Sequence, residues 1–187
     1  AVAILIQDDL SGNFNLQLTD LREFIRGLPE GSRVMVGYLR SGSMETRQRF
    51  TTDRDRAARA LRIVASSSAV SPRNPYDGVR DALERFDALP AGRRAILLVS
   101  DGLDTSQDPG GATPGQSTDL ERAVQNAQRK GVAVFSFYSP TVITERGGSQ
   151  RILFGQSSLQ KLSDETGGRA FFSGSSAPVS FRPFLKD

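Results

Sequence analysis

The sequence predicts a doubly wound α/β domain, an open sheet covered by helices on both faces, and three observations carry that prediction. Helical and strand patterns alternate from one end of the chain to the other, as parallel strands joined by right-handed crossovers require. The stretch AVAILI at the start is a continuous apolar run of the kind that a strand buried on both faces needs, and RAILLVS at 94–100 reads as a central strand. Acidic residues gather where those two stretches end, at Asp8 and Asp9 and at Asp101 and Asp104. The 187 residues suit one domain spanning 1–187. The chain begins without Met and inside a strand pattern, so a domain excised from a longer protein is expected.

The elements follow in order. The first strand runs from about Val2 to Asp8, and DLSGN then makes a turn. LQLTDLREFIRGL places Leu18, Leu21 and Ile25 on one helical face before Pro29 and Gly31 stop it. Arg33–Arg40 reads as a second strand, and METRQRF, which alternates polar and apolar residues, reads as an exposed antiparallel edge. Asp53 is placed to cap a helix with Ala57, Ala60, Leu61 and Val64 as its apolar stripe. The Ser- and Pro-rich SSSAVSPRNP is a loop, followed by a helix from about Tyr76 to Phe86 and the central strand Arg94–Ser100. DPGGATPGQST is a flexible loop by composition, Thr118–Lys130 a helix closed by Gly131, and Val132–Tyr138 a fifth strand. Residues 140–156 read as an inserted loop or hairpin, SLQKLSDET as a short helix capped by Gly167 and Gly168, and RAFF as the last strand. No internal repeat is present.

Composition narrows the chemistry. With no Cys and no His, the chain lacks disulfides, thiolate metal sites, the commonest general base and the commonest transition-metal ligand. A metal would have to be a hard cation held by oxygen, such as Mg²⁺, Ca²⁺ or Mn²⁺. No apolar run reaches the roughly 18 residues that cross a bilayer. The formal charge is +3 and almost all of the basic residues are Arg. Arg40, Arg47, Arg49, Arg54, Arg56, Arg59 and Arg62 face only Glu45, Asp53 and Asp55 in the same stretch. That 40–62 strip is either a solvated helix and edge strand with internal pairs such as Asp55–Arg59, or a surface for nucleic acid or an acidic protein.

In an open parallel sheet, ligands bind beyond the carboxyl ends of the strands where the winding reverses. With the first and fourth strands as neighbours there, Asp9 and Asp101 converge with the Ser11 hydroxyl between them. Two carboxylates and a hydroxyl form an oxygen set suited to Mg²⁺, and carboxylates held close call for something cationic.

These residues resemble the von Willebrand factor type A domains. DLSGN supplies Asp9, Ser11 and Asn13 where that family has the Asp-x-Ser-x-Ser of its metal-ion-dependent adhesion site, and LLVSDGLDT supplies Asp101. NPYDGVRDALERF looks like the family's third helix, GVAVFSFY like its fifth strand, and LQKLSDETGGRAFF like its closing helix and strand. The resemblance implies a six-stranded sheet in the order 3-2-1-4-5-6 with strand 3 antiparallel. It further implies a metal set of Asp9, Ser11, Asn13 and Asp101. One position departs from the pattern: Arg73 falls where the family has a ligating Thr, and a guanidinium has no lone pair to offer. Either Ser71 or Asn74 takes its place, or Arg73 itself neutralises the acidic pair and the site is metal-free.

The implied function is a protein-binding module rather than an enzyme, adhesion-like, with an acidic side chain of the partner meeting the site. Its rim is expected to include Ser71, Arg73, Asn74 and Asp104, within loops 9–15, 66–75, 101–117 and 140–156. A bacterial secreted or cell-envelope protein is the expected setting. The rival readings are an Mg²⁺-dependent phosphoacceptor of the receiver type and nucleic-acid binding through the Arg strip. Against the first stands the missing Lys at the end of VAVFSFY. A hydrolase is disfavoured by the absence of His, Cys and a Gly-x-Ser-x-Gly elbow.

Overall fold

The computed structural model describes residues 1–66, 74–142 and 148–172. Six strands form one sheet in the order β3-β2-β1-β4-β5-β6. They are β1 (Val2–Gln7), β2 (Val34–Arg40), β3 (Ser43–Thr51), β4 (Arg94–Ser100), β5 (Val132–Tyr138) and β6 (Ala170–Phe171). All neighbours pair parallel except β2 and β3. The order and the antiparallel edge are those the family resemblance implies. β1 lies between β2 and β4, with Ile4 opposite both Val36 and Leu97, so the winding reverses beside it.

The continuous apolar runs are explained by two cores, one on each face. Ala3, Leu5, Met35, Leu39, Ile96 and Leu98 point to one side. There they meet α3 (Pro75–Arg85), α4 (Thr118–Lys130) and α5 (Ser149–Glu165) through Val79, Leu83, Leu120, Val124, Leu159 and Leu162. Ile4, Ile6, Val34, Val36, Leu97 and Val99 point to the other side, against α1 (Leu18–Gly27) and α2 (Arg54–Arg59) through Leu21, Ile25, Ala57 and Ala58. Because successive side chains of a strand alternate between faces, a strand covered on both sides must be apolar at every position. Strand β3 has no such cover on both sides, and Ser43, Glu45, Arg47 and Arg49 are exposed while the residues between them are half-buried.

Two readings need correction, and a third is refined. The stripe Ala57, Ala60, Leu61 and Val64 does not share one helix, because α2 stops at Arg59. Leu61 and Val64 are buried from the irregular segment after α2 instead, held by the Tyr38 phenol and the Asn15 amide, which bond the backbones of Arg62 and Val64. The stretch 140–156 is not wholly loop, and the helix expected over SLQKLSDET starts nine residues earlier, at Ser149. Gly155, Ser157 and Ser158 hide this helix from a propensity reading, since Gly and Ser are weak helix formers. Its buried face, Ile152, Gly155, Ser158, Leu159 and Leu162, packs on the sheet and stabilises it. Lastly, DLSGN runs into a turn of 3-10 helix over Gly12–Gln17 that buries Phe14.

Candidate functional site

The carboxyl ends of β1 and β4 are tied together by one side chain, Gln7, the last residue of β1. It is 4% exposed, and its carboxamide works in two directions. Oε1 accepts from the Ser100 hydroxyl at 2.6 Å and from the Asp101 N–H at 3.2 Å, while Nε2 donates to Asp9 Oδ1 at 2.9 Å. The sequence reading missed Gln7. A polar residue ending an otherwise apolar run is the signal that was available, because a buried amide must find partners for both its ends.

Asp101 is fully buried. Its Oδ1 accepts from the Leu103 N–H at 3.1 Å and its Oδ2 from the Thr141 hydroxyl at 2.9 Å. Thr141, also fully buried, belongs to the segment after β5, which the first loop grips. Ser11 N donates to Pro140 O at 2.8 Å, and Leu10 makes an isolated antiparallel bridge with Thr141. The loops after β1, β4 and β5 thus form one platform, with Asp9 half-buried on it and Asn13 exposed beside it. Ser11 Oγ and Ser139 Oγ are buried there without a hydrogen-bond partner among the described residues.

Close backbone packing braces the platform from below. Gly102 has φ +70, and a Cβ on it would lie 2.4 Å from Gly155 O. A Cβ on Gly155 would lie 2.0 Å from Asp101 O. The Tyr76 phenol donates to Gly102 O at 2.6 Å, and complete burial pushes its pKa well above the ordinary phenol range.

The remaining predicted site residues have other attachments. Asp104 is buried and takes bonds from Ser106 N, Ser106 Oγ and Ser117 Oγ, which folds the 104–117 loop around it. Asn74 caps α3: its Oδ1 accepts from the N–H groups of Tyr76 and Asp77, and its Nδ2 donates to Asp77 and Asp119. Burial, followed by the charge of Asp119, raises the Asp77 pKa. Ser71 and Arg73 lie outside the described residues, so the pairing of Arg73 with the acidic residues does too.

On the first loop, Asp8 faces away from this junction. It is 7% exposed and receives Arg62 in a bidentate pair, with Nη1–Oδ1 at 2.6 Å and Nη2–Oδ2 at 3.1 Å. The same guanidinium stacks 4.2 Å over the Tyr38 ring. Other members of the Arg strip are also engaged: Arg47 with Glu45, Arg54 with Leu28 O and Arg56 with Gln48. Arg40, Arg49, Arg56 and Arg59 are the exposed members with no acidic partner among the described residues.

Hydrogen bonds within the protein already engage much of the oxygen set that a hard divalent cation would need, with Ser11 Oγ the buried exception. Mg²⁺ demands a near-octahedral oxygen set and Ca²⁺ six to eight oxygens. Both oxygens of Asp101 already accept hydrogen bonds, and Asp9 Oδ1 faces an N–H. Asn74, the described substitute for the missing Thr, has spent its oxygen on two backbone donors. Among the described residues no cluster of three or more acidic side chains suits a metal.

Fold and site together define an open, doubly wound sheet whose polar, loop-built platform sits at the carboxyl ends of its two central strands. That architecture is the von Willebrand factor type A fold. An aerotolerance-related membrane protein from Bacteroides fragilis superposes with a TM-score of 0.67 at 14% identity, over 93% of this chain and 92% of its own. A von Willebrand factor type A protein from Catenulispora acidiphila gives 0.60 at 18% identity, over 90% of this chain and 37% of its own. The conserved hypothetical protein BatB from Bacteroides thetaiotaomicron gives 0.60 at 14% identity, over 99% and 93%. No protein-family model and no curated protein matches the sequence, so the likeness is one of fold.

Proposed function

We propose that the chain is a protein-binding module that performs no covalent chemistry and presents the platform around Asp9, Ser11 and Asn13 to its partner. The observation that carries this reading is the bonding of three loops into one rigid surface by Gln7, Thr141 and the Ser11–Pro140 backbone contact. Loops held over a rigid sheet are where binding residues concentrate. Two large apolar side chains flank the platform in solvent, Leu16 at 79% and Ile63 at 70% exposure. Their neighbours Asn15 and Val64 bond each other, which joins the two segments that carry them. An apolar anchor beside a polar, half-buried carboxylate is the pattern of an interface centre with its rim.

The proposed setting is the bacterial cell envelope, supported by the B. fragilis relative of the same fold, which is a membrane protein. No helix among the described residues of this chain is long and apolar enough to cross a membrane. The test is affinity capture with the immobilised domain, identification of the captured protein, and surface plasmon resonance on the purified pair. Asp9→Ala and Leu16→Ser are expected to weaken binding tenfold or more, about 1.4 kcal/mol each, with the melting temperature unchanged in Leu16→Ser. Arg47→Ser, on the distant edge strand, is expected to leave affinity intact. Equal affinity of all three variants would refute the rim.

A further inference from the structure

We propose that the Gln7 carboxamide is the strut that holds the β1 and β4 loops in register, a task a divalent cation would otherwise perform, so that the module presents its surface without metal. The inference rests on the reading of the platform as a binding surface and adds how that surface is kept in shape.

A cation at such a place does two things: it bridges the loops of two strands, and it satisfies their inward-facing oxygens. Gln7 does the first by geometry. It reaches Asp9 from one end of its amide and the start of the Asp101 loop from the other, and its backbone is fixed in the sheet between β2 and β4. The Ser100 hydroxyl extends the bridge, accepting from Gly102 N at 2.9 Å while donating to Gln7 Oε1. The turn that carries Asp101 is therefore bonded to β1 through side chains at two consecutive backbone N–H groups. The second task is shared: Gln7 Nε2 serves Asp9, and Leu103 N and the Thr141 hydroxyl serve Asp101.

The orientation of the amide is what makes the assignment specific to Gln. Oε1 faces two donors and Nε2 faces an acceptor, so neither Glu nor Leu can reproduce the pattern. A Glu at position 7 would keep the acceptor for Ser100 and Asp101 N but would set a third carboxylate against Asp9. It would thereby replace the amide donor with an oxygen and leave the carboxylates in need of a cation.

The experiment compares the melting temperatures of wild type, Gln7→Glu and Gln7→Leu in EDTA and in millimolar MgCl₂, with calorimetric titration of Mn²⁺ into each. Wild type is expected to melt at the same temperature in both solutions and to give no saturable Mn²⁺ heat. Gln7→Glu is expected to melt lower in EDTA, to recover in MgCl₂ and to titrate with Mn²⁺, whereas Gln7→Leu melts lower in both. A Mg²⁺-induced rise in the wild type, or a Gln7→Glu protein indifferent to Mg²⁺, overturns the proposal. Should the Gln7 variants fail to fold, NMR of the wild type decides: slowly exchanging Gln7 side-chain amide protons, unchanged by EDTA and lost in Asp9→Ala, support the strut, and fast exchange in the wild type overturns it. Partner capture by the rim variants is read separately, so a failed strut and a failed binding surface give different results.

Discussion

Gly155→Ala reverses the usual sign of a glycine replacement in a helix, and the contacts at Gly155 say by how much. In the interior of an exposed helix, Gly to Ala gains about 1 kcal/mol. Here the added methyl carbon would lie 2.0 Å from Asp101 O and 3.2 Å from Asp101 C, and its third neighbour is Gly102 C at 3.5 Å. All three are backbone atoms at the end of a central strand, so no side chain can swing aside, and α5 or the Asp101 loop must move by about 1 Å. Overpacking of this kind costs about 3 kcal/mol at the upper end of its usual range, which leaves a net loss of about 2 kcal/mol. For a chain of this size that lowers the melting temperature by about 4–8 °C. Urea unfolding followed by circular dichroism should show the midpoint fall with an unchanged slope. Gly27→Ala in α1 is the control, since nothing lies within 4 Å of its added carbon, and it should be neutral to stabilising by up to about 1 kcal/mol. A Gly155→Ala protein as stable as the wild type, or more so, would refute the close packing of α5 on the site.

Three further outcomes follow from the same coordinates. Arg62→Lys keeps the charge but loses the bidentate grip on Asp8 and the stacking on Tyr38, and should cost about 1–2 kcal/mol in chemical denaturation. Tyr76→Phe strands the buried Gly102 carbonyl and should cost about 1–3 kcal/mol; in the wild type, ultraviolet titration should find this phenol silent until the protein unfolds. Asp77 has a raised pKa in the folded state, through burial and then Asp119, so its contribution to stability is full below the unfolded value and is lost as pH rises through the folded one. Asp77→Asn should therefore melt above the wild type at neutral pH, with the difference closing as pH falls towards about 4.

The apolar strands and the alternating edge were legible in the sequence because a strand's period and its cover leave a pattern in the residues themselves. AVAILI and the AILLV of 95–99 are apolar throughout since both faces are covered, and METRQRF alternates since only one of its faces is. The motifs DLSGN and LLVSDG lie at the ends of β1 and β4, where a doubly wound sheet offers its candidate ligand surface. What the sequence could not show depends on partners distant along the chain. Gln7 is an ordinary polar residue until β4 brings Ser100 and Asp101 to its amide, 93 and 94 positions away. Thr141 is one threonine among several until the first loop grips its segment, and Gly155 argues against a helix until its missing side chain lets that helix rest on Asp101 O. Arg62 counted as part of a basic surface until Asp8, 54 positions earlier, received it over the Tyr38 ring. Local pattern determined the elements and their order; hydrogen-bond satisfaction and close packing between elements, which exist only once the sheet is assembled, decided what each polar residue does.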